Sequence, residues 1–88
     1  MTYSVQYTAR ARKDLKGLPL SVAQSIIRSI EGLKDNPYPH VKRLKGTKRH
    51  PLYSHGVGEY RAILAIESGR LLILVLEVGH RSKIYRKY

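Results

Sequence analysis

The segment GEYRAILAIESGRLLILVLEVGHRSKIY, Gly58 to Tyr85, decides how the rest of the chain reads. Its middle holds two apolar runs separated by Ser68-Gly69, the pattern of a β-hairpin. Its ends carry cations: Arg61 near the start, then His80, Arg81 and Lys83 after the last strand, followed by Tyr85. Upstream, LYSHGV ends at Gly58-Glu59, a second turn signal. Three strands are therefore expected: roughly Leu52 to Val57, Glu59 to Ile66, and Leu71 to Val78. With two-residue turns, Arg61 stands opposite Gly56 on one side and Leu76 on the other. Paired residues share a sheet face. One face is then Ser54, Gly56, Arg61, Ile63 and Ala65 with Leu72, Leu74, Leu76 and Val78. The other is Tyr53, His55, Val57, Tyr60, Ala62, Leu64 and Ile66 with Leu71, Ile73, Val75 and Glu77. The last strand is apolar on both faces and needs cover on both.

The N-terminal half supplies cover for one face. YSVQY, Tyr3 to Tyr7, alternates like a short strand. Thr8 suits an N-cap. Ala11, Leu15 and Leu18 recur at helical spacing, and Gly17 and Pro19 end that helix. Pro19 fits the first turn of a second helix, whose stripe is Val22, Ala23, Ile26, Ile27, Ile30 and Leu33. Asn36-Pro37 stops it, and PYPHVKRLKGTKRHP reads as a basic connection punctuated by Pro and Gly. The expected fold class is α+β, in the order β-α-α-β-β-β: a mostly antiparallel, twisted sheet with a helical hairpin on one face. The second face, which carries Arg61 among small residues and leucines, is left for the chain's own ends or for a partner, and is the candidate working surface.

At 88 residues the chain reads as one domain, 1–88, with a modest core. Without cysteine it has neither disulfides nor thiolate metal sites. His40, His50, His55 and His80 form no close pair of zinc-ligand spacing. The N-terminal MTYSVQYTARARK lacks an apolar signal core, and LLILVLEV is too short to span a bilayer as a helix. A soluble cytoplasmic protein, with no cofactor and no membrane partner, is the expectation. Seventeen Lys and Arg face six Asp and Glu, a net charge of +11. Such a field attracts polyanions or acidic proteins. The charge gathers at Arg10, Arg12, Lys13 and Lys16, then at Lys42, Arg43, Lys45, Lys48 and Arg49, then at Arg81, Lys83, Arg86 and Lys87.

These pieces together resemble the RelE/ParE superfamily of type II toxin–antitoxin toxins. The likeness rests on the short first strand, the helical hairpin entered through Leu18-Pro19, the DNPYPHVKRLKG connection (Asp35 to Gly46), VGEYRAIL (Val57 to Leu64) and VGHRSKIY (Val78 to Tyr85). Within the superfamily the chain is more similar to the RelE branch, because the arginine and the C-terminal tyrosine are both present. The resemblance implies a ribosome-dependent endoribonuclease that cuts mRNA in the A site without metal, neutralised by an acidic, RelB-like antitoxin in a hetero-oligomer. It also implies the catalytic set: Arg61 at the transition state, Arg81 near the leaving group, and Tyr85 stacking on or activating the reacting nucleotide. An RNA-binding surface is expected from Lys42, Arg43, Lys45, Lys48, Arg49, His50, Lys83, Arg86 and Lys87.

One departure stands out. RelE-like toxins usually carry basic residues on the strand before VGxYR, on the Arg61 face. Here those positions are Leu52, Ser54 and Gly56. His55 belongs to the other face; Lys48, Arg49, His50 and His80 are the cations near enough to stand in. Two rival functions follow: a degenerate toxin that binds without cutting, and a ParE-like inhibitor of DNA gyrase. His55 and His80 read as satisfied or surface histidines, and Glu77 as the ion-pair partner of a nearby cation such as Arg81 or Lys83.

Overall fold

The computed structural model describes residues 2–45 and 50–88. In chain order the elements are β1 (Ser4–Tyr7), α1 (Ala9–Lys16), α2 (Leu20–Glu31), a 3-10 turn (Tyr38–His40), β2 (Lys42–Arg43), β3 (Leu52–Val57), β4 (Tyr60–Glu67), a second 3-10 turn (Ser68–Arg70), β5 (Leu72–His80) and α3 (Arg81–Lys87). The expected α+β class stands. The sheet order is β1-β5-β4-β3-β2. β1 joins β5 in parallel and every other pairing is antiparallel.

Two elements exceed the expectation. β2 lies inside the segment read as a connection, where two residues are too few for an alternation signal. α3 forms from RSKIYRK, where only Ile84 faces inward.

The helices form for the reasons the sequence offers. Thr8 caps α1: its Oγ1 accepts from the Ala11 N–H at 3.1 Å. Pro19 occupies the N-cap position of α2 rather than its first turn, and α2 ends at Gly32, ahead of Asn36-Pro37. The helices bury Ala11, Leu15, Ala23, Ile26 and Ile30, with Leu33 just beyond, against Ala62, Leu64, Ile73, Val75 and Val78 of the sheet.

Register differs from the expectation on one side of β4. Arg61 does stand opposite Gly56. Across β5, however, its partner is Gly79, not Leu76. Two of the three residues of offset come from the turn. The last pair is Glu67 with Leu72, so the connection is 68–71 and not Ser68-Gly69 alone. Leu71 closes it at φ 48°, a left-handed conformation unusual for leucine. The third comes from a β-bulge: Ile63 pairs with Glu77 and Leu64 with Val75, which leaves Leu76 as the extra residue.

The bulge exchanges faces. Val78 joins the helix-side core, and Glu77 moves to the Arg61 face, the reverse of the expected assignment. Burial explains the choice, because a carboxylate set among Ile26, Ile30 and Leu64 would lack partners and be costly. α1 satisfies the disturbed strand edge. Thr8 Oγ1 donates to the Leu76 carbonyl at 2.9 Å, and the Val78 N–H donates to Asp14 Oδ2 at 3.0 Å.

The second face is closed by the chain's own C-terminal end. α3 lies over it and seats Ile84, 2% exposed, against Gly79. A Cβ at Gly79 would sit 3.4 Å from Ile84 Cδ1, so glycine there sets how closely α3 approaches. Below α3, Glu77 accepts hydrogen bonds from Tyr88 (2.9 Å), Lys87 and Arg10 (3.1 Å). Burial alone pushes the Glu77 carboxyl up, but the hydrogen bonds from Lys87 and Tyr88 and the nearby cations outweigh it, and the net shift is downward. Glu77 therefore does pair with cations, but among the described residues these are Arg10 and Lys87 rather than Arg81 or Lys83, and the pairing anchors the C-terminus.

Candidate active site

The two arginines singled out by sequence meet at one turn. Val57 pairs with Tyr60, so Gly58-Glu59 is a two-residue hairpin connection, and Gly58 takes φ 59° there. Arg61 folds back onto this turn. Its Nη1 donates to the carbonyls of Gly58 (2.9 Å) and Tyr60 (2.8 Å), and its Nε donates to the Tyr85 hydroxyl at 3.0 Å. The Tyr85 ring centroid lies 5.8 Å from Arg61 Cζ. Arg81 is held from the other side. Its N–H donates to the Glu59 carbonyl at 2.8 Å, and its Nε lies 2.9 Å from Glu59 Oε2. Neighbouring turn residues thus anchor both guanidiniums, while Tyr85, 56% exposed, reaches Arg61 from α3.

Gly56 is the floor beneath Arg61. A Cβ at this position would stand 3.0 Å from Nη1 and 3.1 Å from Cζ. The guanidinium lies flat over the glycine, in space that a larger residue would fill. The missing basic side chain at position 56 is therefore part of how Arg61 is placed. Leu52 and Ser54 share the face, as expected from sequence.

β2 adds what the sequence reading missed. Lys42 pairs with Ser54 and Arg43 with Tyr53, so Lys42 lies on the Arg61 face and Arg43 on the helix side. The signal was faint, since only the strand pairing reveals it.

The histidines divide as anticipated. His55 is buried: its Nδ1–H donates to the His40 carbonyl at 2.9 Å, and its Nε2 accepts from Ser29 Oγ at 2.7 Å. His80 caps α3, its Nδ1 accepting from the Ser82 N–H at 3.2 Å, and packs edge-on against Tyr60. His50 is exposed at the approach to β3. Of the expected RNA-binding cations, Lys42, Arg43, Lys45, Lys83 and Arg86 are exposed. Lys87 is also exposed but is tied to Glu77, which makes it a tether of α3. Lys48 and Arg49 lie outside the described residues. Among the described residues, no group of three or more His, Cys, Asp or Glu is placed to hold a metal ion, and no helix is long and apolar enough to cross a membrane.

Comparisons with known proteins place the chain in a family. Residues 5–85 match the family described as ParE toxin of type II toxin–antitoxin system, parDE. The chain is 33% identical over 85 residues to Toxin RelE of Mycobacterium tuberculosis, covering 96% of this chain and 87% of that protein. Its fold matches the toxin–antitoxin complex RelBE2 from Mycobacterium tuberculosis with a TM-score of 0.82 at 28% identity, over 92% of this chain and 93% of that one. It also matches the archaeal RelE–RelB complex from Pyrococcus horikoshii with a TM-score of 0.79 at 28% identity, over 94% and 99% of the two chains. The chain belongs to the RelE/ParE superfamily of type II toxin–antitoxin toxins.

Proposed function

We propose that this toxin is a ribosome-dependent endoribonuclease that cuts mRNA in the A site and uses the RNA's own 2′-hydroxyl as nucleophile. The observation that carries the reading is the Arg61 guanidinium, laid over Gly56 and hydrogen-bonded through Nε to the Tyr85 hydroxyl. In the reaction the 2′-oxygen bonds to the adjacent phosphorus and the bond from phosphorus to the 5′-oxygen breaks. The hydroxyl proton passes to a base, and the departing 5′-oxygen gains a proton. The products are a 2′,3′-cyclic phosphate and a free 5′-hydroxyl. No step requires the enzyme to supply a nucleophile, so catalysis reduces to positioning, proton transfer and charge stabilisation.

Arg61 suits the charge term: it is planar, permanently charged, and already oriented by three acceptors. Tyr85 offers a ring on which a splayed base can stack, with its hydroxyl beside the guanidinium. Arg81, bridged to Glu59, stands ready to exchange that carboxylate for a phosphate oxygen. The exposed basic residues give a salt-sensitive grip on ribosomal RNA.

A neighbouring groove favours an acidic antitoxin. A groove of about 770 Å³ runs between α1 and α3, with Arg10, Lys13, Lys83 and Lys87, and the ion-paired Asp14 and Glu77, around Leu18, Val78 and Ile84. An amphipathic acidic segment that orders on binding fits such a lining, and the two structural relatives named above are toxin–antitoxin complexes.

The deciding experiment is cleavage of a defined mRNA on purified, programmed ribosomes, with Arg61, Arg81, Tyr85 and His50 replaced singly by alanine. Site-specific A-site cleavage lost in Arg61→Ala supports the nuclease. Tight ribosome binding without cleavage would establish the degenerate toxin that Leu52, Ser54 and Gly56 favour. The matched family's ParE description favours a second reading, inhibition of DNA gyrase. Gyrase-linked double-strand breaks with no effect on ribosomes would establish it.

A further inference from the structure

The geometry points to Lys42 as the cation that grips the scissile phosphate opposite Arg61, taking over from strand β3, which offers only Leu52, Ser54 and Gly56 on this face. This inference rests on the nuclease reading and extends it to a residue on a different strand.

The placement follows from register. Lys42 is directly opposite Ser54, and Ser54 opposite Ile63, one row from Gly56 and Arg61. Strands lie about 4.8 Å apart, and same-face residues about 6.8 Å apart along a strand. The Lys42 Cα is therefore about 8 Å from the Gly56 Cα, over which the Arg61 guanidinium lies. A four-carbon stem and one phosphate group together span that distance. Between the two cations the floor is Ser54 and Gly56, a small side chain and none; Ser54 is nearly covered, 9% exposed, while Gly56 is exposed, so a phosphodiester would enter over Gly56. Arg43, opposite Tyr53, is on the helix side and cannot share the task. Lys42 is exposed, with its side chain available to an incoming strand.

The position of β2 is fixed from beneath. The Nδ1–H of His55 donates to the His40 carbonyl at 2.9 Å, two residues before Lys42, and Ser29 holds the other ring nitrogen at 2.7 Å. The Leu44 N–H donates to the Leu52 carbonyl at 2.9 Å on the far side of β2. Lys42 is thus bracketed by two links to neighbouring structure. His55 is a positioning residue for it, while Lys42 itself meets the substrate.

The test separates a scissile-phosphate contact from a general ribosome contact. Single-turnover cleavage is measured at saturating ribosomes for the unaltered protein, Lys42→Ala, Lys42→Arg, and Lys42→Ala combined with Ser54→Lys. The expected result for Lys42→Ala is a rate lower by about a hundredfold at saturation. Lys42→Arg retains most of the rate, and Ser54→Lys restores at least part of what Lys42→Ala loses by returning a cation to the same trough. An unchanged saturated rate, with only the ribosome concentration dependence altered, overturns the placement.

Absence of cleavage by the unaltered protein would instead sink the nuclease reading. Lys42 is then judged by affinity for a short single-stranded RNA with a 2′-deoxy nucleotide at its centre. Lys42→Ala must weaken that binding and reduce the salt slope by about 0.7, with Ser54→Lys restoring both. Unchanged affinity would overturn the inference.

Discussion

Replacing Gly56 by alanine isolates the arrangement of Arg61 from the stability of the sheet. The added Cβ would stand 3.0 Å from Arg61 Nη1, 3.1 Å from Cζ and 3.4 Å from Nε. Carbon contacts are comfortable at about 3.5–4.0 Å, so the guanidinium must lift by roughly 0.5–1 Å. That movement works against three hydrogen bonds of 2.8–3.0 Å, to Tyr60, Gly58 and Tyr85. A misplacement of about 1 Å in a positioning group costs on the order of a hundredfold in rate.

Stability moves in a different direction. Alanine in a strand is favoured over glycine by about 0.5–1 kcal/mol, and the displaced group is the far end of a flexible chain, so net stability should stay within about 1 kcal/mol of the original. The ribosome cleavage assay reads the first effect and urea denaturation the second. The Arg61 Nε–H resonance follows the guanidinium without reference to activity. Full cleavage with an unmoved resonance would refute the role given to Gly56. A stability loss above about 2 kcal/mol would show that the glycine protects the strand itself.

Other perturbations probe the frame around the site. Glu77→Gln removes the charge that Lys87, Arg10 and Tyr88 converge upon, and should loosen α3, read as faster amide exchange at Ile84 and Tyr85. Because the folded Glu77 carboxyl titrates below its ordinary value, its stabilisation is complete above the unfolded carboxyl pKa and is lost as pH falls through the lower folded value. Acid titration of α3 exchange in the unaltered protein should show this loss, and Glu77→Gln should abolish the dependence. Ile84→Ala empties a fully packed position beneath α3 and should cost about 2–4 kcal/mol in docking that helix, with β4 and β5 exchange much less affected. Tyr7 has a buried hydroxyl with no partner among the described residues, and burial, with Glu31, pushes its pKa up to about 12. Tyr7→Phe should leave stability unchanged or raise it by up to about 2 kcal/mol in thermal melts, whereas a loss would reveal a partner for the hydroxyl.

The helix-side half of the fold was legible because its patterns are long and local. The α2 stripe (except Ile27, which the structure leaves exposed), the Thr8 cap and the pairing of Arg61 with Gly56 follow from spacing and turn chemistry. The β5 register was not legible, because its departures depend on distant residues. The bulge at Leu76 is held by Thr8 and Asp14, far away in sequence. One trace did remain in LLILVLEV: an acid on the face assigned to the core contradicted the parity that put it there. α3 was hidden because a seven-residue helix with one buried residue has no periodic signature. Sequence marked Arg61, Arg81 and Tyr85, but it could not say that Glu59 and Gly58 gather both arginines, nor that β2 would bring Lys42 to their face.

The distribution of acids links the fold to the charge. The chain has six carboxylates: Asp14, Glu31, Asp35, Glu59, Glu67 and Glu77. Among the described residues, five lie within salt-bridge distance of a cation of the same chain. Two of these also do structural work, Asp14 at the β5 edge and Glu77 beneath α3. The row joining Lys42, Ser54 and Ile63 ends at Glu77, whose charge is already met by two cations and a phenol. A negative charge left free on that row would repel a phosphodiester approaching Arg61. The bulge brings Glu77 to the Arg61 face, and its ties to Lys87, Arg10 and Tyr88 under α3 offset its charge there. On the reading proposed above, an antitoxin segment that supplies carboxylates there would compete with Glu59 for Arg81. On that reading, the arrangement that would receive RNA would also receive an acidic chain.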